Sequence, residues 1–296
     1  MADHLLNLPI AEDDVIVYGG DHSPWVQAVL LGLHLKGIRY RVHSFPPWRV
    51  FSFSGILMPA ARLADGSWML QSQDILEAYG YGRLDRDEFK AILRILRGGV
   101  HRVDSITRFW NLWSRVRDDH SNRLMRLRNF LLRPFQVLYY QVALTRLGIT
   151  PVTSPTPDEM KANYAVWQAK VLRSPGLFMD GESPGLRDIY VFAAIQLHAS
   201  MPVPSLQVLQ CAPELEALRS WILVMQARCK DYRHLYSAPY FDPGATAPDV
   251  SSFPERCAFW LGGVLLALTA PLAGLLIWYK RRSLKKRGLI MGSARF

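Results

Sequence analysis

The sequence predicts an α/β domain, followed by an all-α domain and a C-terminal transmembrane helix. Short strands alternate with helices near the N-terminus, helical patterning dominates after residue 85, and the 23 residues from Cys257 to Tyr279 carry no charge. A length of 296 residues, half of them hydrophobic, allows one large core or two smaller ones. The predicted ranges are 13–82 for the α/β domain, 85–240 for the helical domain, 241–256 for a flexible linker, 257–279 for the membrane helix and 280–296 for a basic tail.

The N-terminal elements follow the order β-α-β-(loop)-β-β-α, which is the thioredoxin-like order. Strands are predicted at 15–18, 38–45, 57–64 and 68–70, the last after an Asp65-Gly66 turn signal. The first helix begins at Ser23-Pro24, because Ser is a natural helix cap and Pro at the first helical position loses no hydrogen bond. The second helix begins at Gln71-Ser72.

Three short motifs, Ser23-Pro24-Trp25, Met58-Pro59 and Gln71-Ser72, occur in this order along the predicted α/β domain. In order and spacing they resemble the N-terminal domain of the soluble glutathione S-transferase superfamily. The resemblance extends over roughly the first 225 residues in the two-domain sense. It implies a thioredoxin-like domain that binds glutathione as co-substrate, followed by an all-helical domain.

The resemblance also implies a role for each residue of the motifs. Ser23 would donate a hydrogen bond that stabilises the ionised thiol of glutathione. Met58 would offer its backbone to the cysteinyl part of the ligand, beside a cis peptide bond at Pro59. Gln71 and Ser72 would hold the γ-glutamyl end at a helix N-terminus, where backbone N–H groups favour a carboxylate.

Structural explanations compete with each of these roles. Ser23 and Ser72 could be ordinary helix caps, and Pro59 could mark a strand-edge turn. Tyr18 stands at the end of the first strand, but its spacing is less suitable than that of Ser23. His22 could adjust the electrostatics of the site, although a single loop histidine is usually just solvated.

Two positions depart from the family pattern. The family often has Arg or Lys three or four residues after the serine, where this chain has Gln27. No Lys precedes Met58 to hold the glycyl carboxylate of glutathione, so Arg49 or Arg62 would have to replace it.

The second region predicts helices, with one partial family motif. Gly185-Leu186-Arg187-Asp188 keeps the acid of a helix-capping box but not its hydroxyl, and Asp188 can still accept from a cap N–H. The resemblance gives Asp188, like Pro24, a structural role. The enlarged helical region with a C-terminal anchor resembles the ganglioside-induced differentiation-associated branch of the superfamily. Helices are predicted within 85–147, at 158–172, from Asp188 and at 213–232, with a loop at 150–157.

The charge distribution favours a membrane anchor over a nucleic-acid partner. Seven Lys or Arg and no acid follow Tyr279, and subtracting them from the net charge of +10 leaves +3 for the rest. The uncharged span is long enough for a bilayer, has Trp260 and Trp278-Tyr279 near its ends, and contains Pro271, which membrane helices tolerate. A buried soluble helix is the alternative. The missing secretory signal favours a tail anchor, with the globular part on the cytosolic side.

The sequence leaves three functions open. The first is a membrane-tethered glutathione transferase that attacks hydrophobic small-molecule electrophiles. The second is a non-catalytic tail-anchored adaptor, and the third is a glutathione-dependent peroxidase or reductase. The Arg-rich stretch 108–133 fits a solvated helix face better than RNA binding, and the three cysteines have no metal or disulfide spacing. The expected partners are the electrophile, the lipid bilayer and a second copy in a homodimer, as in the superfamily.

Overall fold

The computed structural model describes residues 14–20, 23–43, 47, 50, 59–100, 155–200 and 204–237, with single positions between 253 and 279. The predictions for His22, Arg49, Met58, the stretch 108–133 and the tail 280–296 lie outside these residues, as does most of the 241–256 linker.

The N-terminal part is a mixed sheet with helices, in the predicted thioredoxin-like order. Its strands are β1 (Val15–Tyr18), β2 (Tyr40–His43), β3 (Ala60–Arg62) and β4 (Trp68–Met69), and its helices are α1 (Pro24–Leu35) and α2 (Ser72–Ala78). The described strands lie in the order β2-β1-β3-β4. β2 is parallel to β1, whereas β3 and β4 are antiparallel to their neighbours. A parallel pair needs a crossover connection, and α1 provides it.

The two faces of the sheet carry different side chains, because successive strand residues point to opposite sides. Val15 and Val17 belong to the main core, together with the buried side of α1. Ile16 and Tyr18 lie in a separate cluster with Ala60 on the other face. Tyr18 therefore does not point toward α1.

α1 and α2 approach each other closely on the core side. A Cβ added to Gly32 of α1 would lie 2.3 Å from Leu76 Cδ2 of α2. Tyr81, just after α2, donates its hydroxyl to the Gly32 carbonyl at 3.1 Å. Gly32 thus permits the close packing of α2 against α1.

The second part is helical in all its described elements. These are α3 (Arg86–Val100), α4 (Pro157–Arg173), α5 (Leu186–Ser200), α6 (Pro204–Cys211) and α7 (Glu216–Arg228), with a 3-10 turn at Pro213–Leu215. The predicted helices at 158–172 and from Asp188 are confirmed as α4 and α5. The predicted helix at 213–232 was too long. Residues 213–215 form the 3-10 turn, and α7 ends at Arg228. α6 was not predicted.

α5 connects the two parts. Residues 188–199 of this helix are buried on every side, as expected for the central helix of a larger core. At its sheet-facing side Tyr190 contacts Trp25 of α1, with ring centroids 6.0 Å apart. Trp25 also stacks on Phe89 of α3 at 5.3 Å. Trp25, directly after the Ser-Pro pair, therefore packs against the helical part.

Within the part of the chain that the structure describes, no helix combines the length and the apolar character needed to cross a membrane. The predicted span at 257–279 is described only at scattered positions, each of them helical and exposed. The transmembrane helix therefore stays a prediction.

Candidate functional site

The register of the sheet brings the sequence motifs to the same end of the sheet. Tyr18, the last residue of β1, pairs with Ala60, the first residue of β3. Met69, the last residue of β4, pairs with Ala61. The loop after β1, the loop before β3 and the connection after β4 consequently meet at the same end of the sheet.

These three connections carry the predicted site residues. Ser23 follows the loop after β1, Pro59 directly precedes β3, and Gln71 and Ser72 follow β4. Ser23, Pro59 and Ser72 are buried, whereas Gln71 is exposed. We call this group the candidate site.

Ser23 occupies the cap position of α1 without acting as a cap. Its backbone is extended (φ −74°, ψ 127°) and Pro24 follows as the first helical residue, but the Ser23 side chain makes no capping hydrogen bond. The residue is only 2% exposed. Among the described residues its hydroxyl has no hydrogen-bond partner. The expectation that Ser23 caps the helix is therefore corrected.

An unsatisfied buried hydroxyl is a cost that folding normally avoids, about 1–3 kcal/mol. Here the hydroxyl stands at the N-terminus of a 12-residue helix, where the helix dipole favours an anion. A thiolate within hydrogen-bond distance of Ser23 would satisfy the hydroxyl and be stabilised by the dipole. The arrangement suits activation of a thiol that the ligand supplies.

Gln71 and Ser72 begin α2. Gln71 is the cap residue by position, its side chain makes no capping hydrogen bond, and Ser72 is the first helical residue. Ser72 is not a cap either: its Oγ accepts from the Tyr190 hydroxyl at 2.8 Å. A serine hydroxyl has one donor besides its acceptor sites, so Ser72 can accept from Tyr190 and still donate to a ligand carboxylate.

Tyr190 is a site residue that the sequence did not reveal. It comes from α5, 118 residues after Ser72. Burial raises the pKa of Tyr190 and the hydrogen bond to Ser72 opposes this, so the phenol stays a donor near neutral pH. No local pattern signals such a long-range contact.

Two positions were considered for a cation of the family pattern, Gln27 and Arg62, and neither follows that pattern. Gln27 is fully buried, accepts from the Tyr232 hydroxyl at 2.7 Å and donates to the His234 carbonyl at 3.4 Å. Arg62 Nη2 lies 3.8 Å from where a Cβ on Gly66 would stand. That turn is at the opposite end of β3 from Pro59, so the suggestion that Arg62 binds the glycyl carboxylate is not supported.

Asp188 has the structural role expected for it, with more partners than expected. Its carboxylate accepts from the backbone N–H of Gly185 at 3.0 Å, which confirms the predicted half of the capping box. It also accepts from the N–H groups of Met179 and Asp180 and from the indole of Trp221. Burial raises the pKa of Asp188, while these hydrogen bonds oppose the rise. Asp188 thereby joins the loop before α5 to α7.

Comparison with known proteins gives fold likenesses only. No family model matches the chain, and no curated protein matches it. Among solved structures, a theta class glutathione S-transferase from Xanthomonas axonopodis pv. citri with glutathione bound is 13% identical and covers 80% of this chain and 100% of its own (TM-score 0.40). Gtt2 from Saccharomyces cerevisiae is 18% identical, with coverages of 74% and 100% (TM-score 0.41). Glutaredoxin 2 from Salmonella typhimurium in complex with glutathione is 12% identical, with coverages of 77% and 99% (TM-score 0.46).

The chain has a thioredoxin-like domain joined to a helical domain. Its candidate site has a serine at the start of α1 and no cysteine.

Proposed function

We propose that the chain binds glutathione at the candidate site and activates its thiol for attack on hydrophobic electrophiles. The unpartnered, buried Ser23 hydroxyl at the start of α1 is the observation that carries the proposal. The thiol loses its proton to solvent, and the thiolate sulfur forms a bond to an electrophilic carbon. The electron pair of the broken bond leaves with the leaving group or moves onto the acceptor.

The expected size of the Ser23 effect follows from the strength of the hydrogen bond. A hydrogen bond to a charged group is worth about 1.5–3 kcal/mol. Because one pKa unit corresponds to about 1.4 kcal/mol, this bond lowers the thiol pKa by about one to two units from its usual value near 8.5. A larger fraction of the bound ligand is then thiolate at neutral pH.

The peptide part of glutathione would lie along the rest of the candidate site. We assign the γ-glutamyl carboxylate to the Ser72 hydroxyl and the exposed Gln71 side chain, because both stand at the start of α2. The backbone of Met58 and a cis bond at Pro59 are kept as predictions for the cysteinyl part.

Isothermal titration calorimetry of glutathione binding to the full-length chain in detergent tests the site. Ser72→Ala and Tyr190→Phe form a matched pair, because both remove the hydrogen bond between these residues and only Ser72→Ala removes the ligand donor. We expect Ser72→Ala to weaken binding by about tenfold or more, and Tyr190→Phe to change it little. Equal losses would contradict the role of Ser72, and no binding by the unaltered chain would contradict the proposed function.

We further propose that residues 257–279 tether the protein to a membrane, with the globular part on the cytosolic side. The span has no charge and is bracketed by Arg256 and Lys280. Five leucines at described helical positions, Leu261, Leu265, Leu268, Leu272 and Leu275, are between 49% and 67% exposed. Thr269 donates to the Leu265 carbonyl at 2.6 Å, which satisfies its hydroxyl as a lipid environment requires.

Flotation with phosphatidylcholine liposomes tests the tether. The unaltered chain is expected to float with the lipid, and Leu265→Asp with Leu268→Asp to abolish flotation, since each Asp costs about 2.5–3.5 kcal/mol at a helix centre. Leu223→Asp is the matched control, because Leu223 is 58% exposed on α7, outside the span. An unaltered chain that stays with the soluble fraction would contradict the tether.

A non-catalytic adaptor is the second candidate function. Its specific support is the burial of Ser23 and Ser72, which are 2% and 7% exposed, because a ligand reaches them only by displacing atoms that cover them. This adaptor would use the membrane span as an address and the helical part as a binding surface. Absence of glutathione binding together with intact flotation is the result expected of it. Homodimerisation stays a prediction in either case.

A further inference from the structure

The segment 229–237, which follows α7, is attached to the core by two buried glutamines. Gln27 of α1 contacts Tyr232 and His234, as described above. Gln196 of α5 accepts from the backbone N–H groups of Tyr236 and Ser237 and donates to the Ser237 hydroxyl at 2.9 Å. Both glutamines are fully buried, and buried amides are stable only when bonded in this way. The segment therefore has a fixed position on α1 and α5.

Tyr232 extends along α1 rather than touching it at a single point. Its ring lies beside the His34 ring, with centroids 5.2 Å apart, in the last turn of the helix. Its hydroxyl bonds to Gln27 Oε1, seven residues earlier. Residues seven apart lie on the same face of a helix, about 10 Å apart along its axis. Tyr232 is 3% exposed and contacts the side chains of both His34 and Gln27.

Gln27 also closes the helical turn that begins at Ser23. The Gln27 backbone N–H donates to the Ser23 carbonyl at 2.8 Å. One residue thus holds Ser23 through its backbone and the segment 229–237 through its side chain. A shift of Tyr232 along α1 would be transmitted directly to the turn that carries Ser23.

We infer that Gln27 and Tyr232 are positioning residues, through which the segment 229–237 holds the Ser23 hydroxyl in its place at the candidate site. The inference rests on the proposed function for the role of Ser23, but not for the contact itself. The chain continues from this segment toward the predicted membrane span. Attachment of the span and the geometry of the thiol-activating residue are then linked through the buried Gln27 side chain, which bonds to both Tyr232 and His234.

The decisive variant is Tyr232→Phe in the full-length chain, with Tyr164→Phe as the matched control. Tyr164 is also fully buried, and its hydroxyl forms a comparable 2.8 Å hydrogen bond to His198 Nδ1 within the helical part. Amide hydrogen exchange of residues 23–29, measured without ligand, is the first readout. We expect Tyr232→Phe to speed this exchange by about tenfold and Tyr164→Phe to leave it unchanged.

A double variant tests the coupling between the two positioning residues. Gln27→Met removes the acceptor that the Tyr232 hydroxyl uses on α1 and the donor to the His234 carbonyl, whereas Gln27→Met with Tyr232→Phe removes the hydroxyl as well. Since replacing both partners of a hydrogen bond costs less than removing one of them, we expect the double variant to exchange more slowly than Gln27→Met alone. Additive acceleration would overturn the inference, and so would equal exchange in Tyr232→Phe and Tyr164→Phe.

The pKa of the bound glutathione thiol is the second readout. It should rise in Tyr232→Phe and stay unchanged in Tyr164→Phe, because a purely structural loss of stability does not alter thiol ionisation in the folded protein. If the unaltered chain binds no glutathione, the proposed function fails, whereas the exchange experiment still decides whether the segment 229–237 positions Ser23.

Discussion

The buried imidazole of His198 predicts a specific loss of stability in mild acid. His198 lies on α5, is fully buried and bonds to the Tyr164 hydroxyl through Nδ1. Burial lowers the pKa of His198 to about 4, with a small opposing contribution from the Ile95 carbonyl. In the unfolded chain the pKa is about 6.5.

The sign and the size of the effect follow from this difference. Between these two values the unfolded chain binds more protons, so stability falls as the pH falls from about 6.5 toward 4. A difference of about 2.5 units corresponds to about 3.4 kcal/mol in full, and about 2 kcal/mol of it is lost by roughly pH 5. The contribution is fully present above the unfolded pKa.

Urea unfolding followed by tryptophan fluorescence, at roughly pH 8 and pH 5, measures this loss. The His198→Gln variant keeps an acceptor for Tyr164 but cannot be protonated. Its stability should therefore change by about 2 kcal/mol less between the two pH values than that of the unaltered chain. Equal pH dependence in His198→Gln and the unaltered chain would refute the reasoning.

Two further predictions concern charged groups of the helical part. Glu88 is buried between Lys170 at 2.7 Å and Arg187 at 2.6 Å, and these ion pairs outweigh burial to lower its pKa. Glu88→Gln should therefore cost about 1–3 kcal/mol in urea unfolding at neutral pH and little below its lowered pKa. Asp87→Asn, which removes only an exposed ion pair one residue earlier, should cost less than about 1 kcal/mol, and similar losses would contradict the argument. Asp188→Asn replaces one of the two oxygens that accept four hydrogen bonds, two of them buried, with an amide NH2 group and should cost about 1–3 kcal/mol, so a loss under about 1 kcal/mol would contradict the assigned network.

Local signals in the sequence were sufficient to locate the elements that carry the site. The pair Ser23-Pro24 predicted the start of α1 for a local reason. Pro24 has no N–H, and the first helical position does not need one. The turn signal at Asp65-Gly66 is confirmed, with Gly66 at φ 82°. The capping box at the start of α4, Thr156 with Glu159, is an equally local signal and marks the start of that helix more closely than the predicted range 158–172.

Tertiary contacts decided what the side chains do, and these the sequence could not supply. Ser23 and Ser72 have residue types suited to capping, yet the Ser72 hydroxyl bonds to Tyr190 and the Ser23 hydroxyl to none of the described residues. Gln27 resembled a missing cation, but its actual partner, Tyr232, lies 205 residues later. α6 begins at Pro204 and has no charged residue in its first or last turn to mark its ends, and Leu206 and Leu209 bury its apolar side in the core.

The central claim is that Ser23 stabilises a glutathione thiolate. Its most direct test is the pKa of the bound glutathione thiol, measured from ultraviolet absorbance of the thiolate in the unaltered chain and in Ser23→Ala. We expect Ser23→Ala to raise this pKa by about one to two units. We also expect it to stabilise the fold by about 1–3 kcal/mol, because it removes a buried hydroxyl that does not cap α1 and has no partner among the described residues. An unchanged thiol pKa, accompanied by the loss of about 1 kcal/mol of stability that a removed helix cap produces, would contradict the central claim.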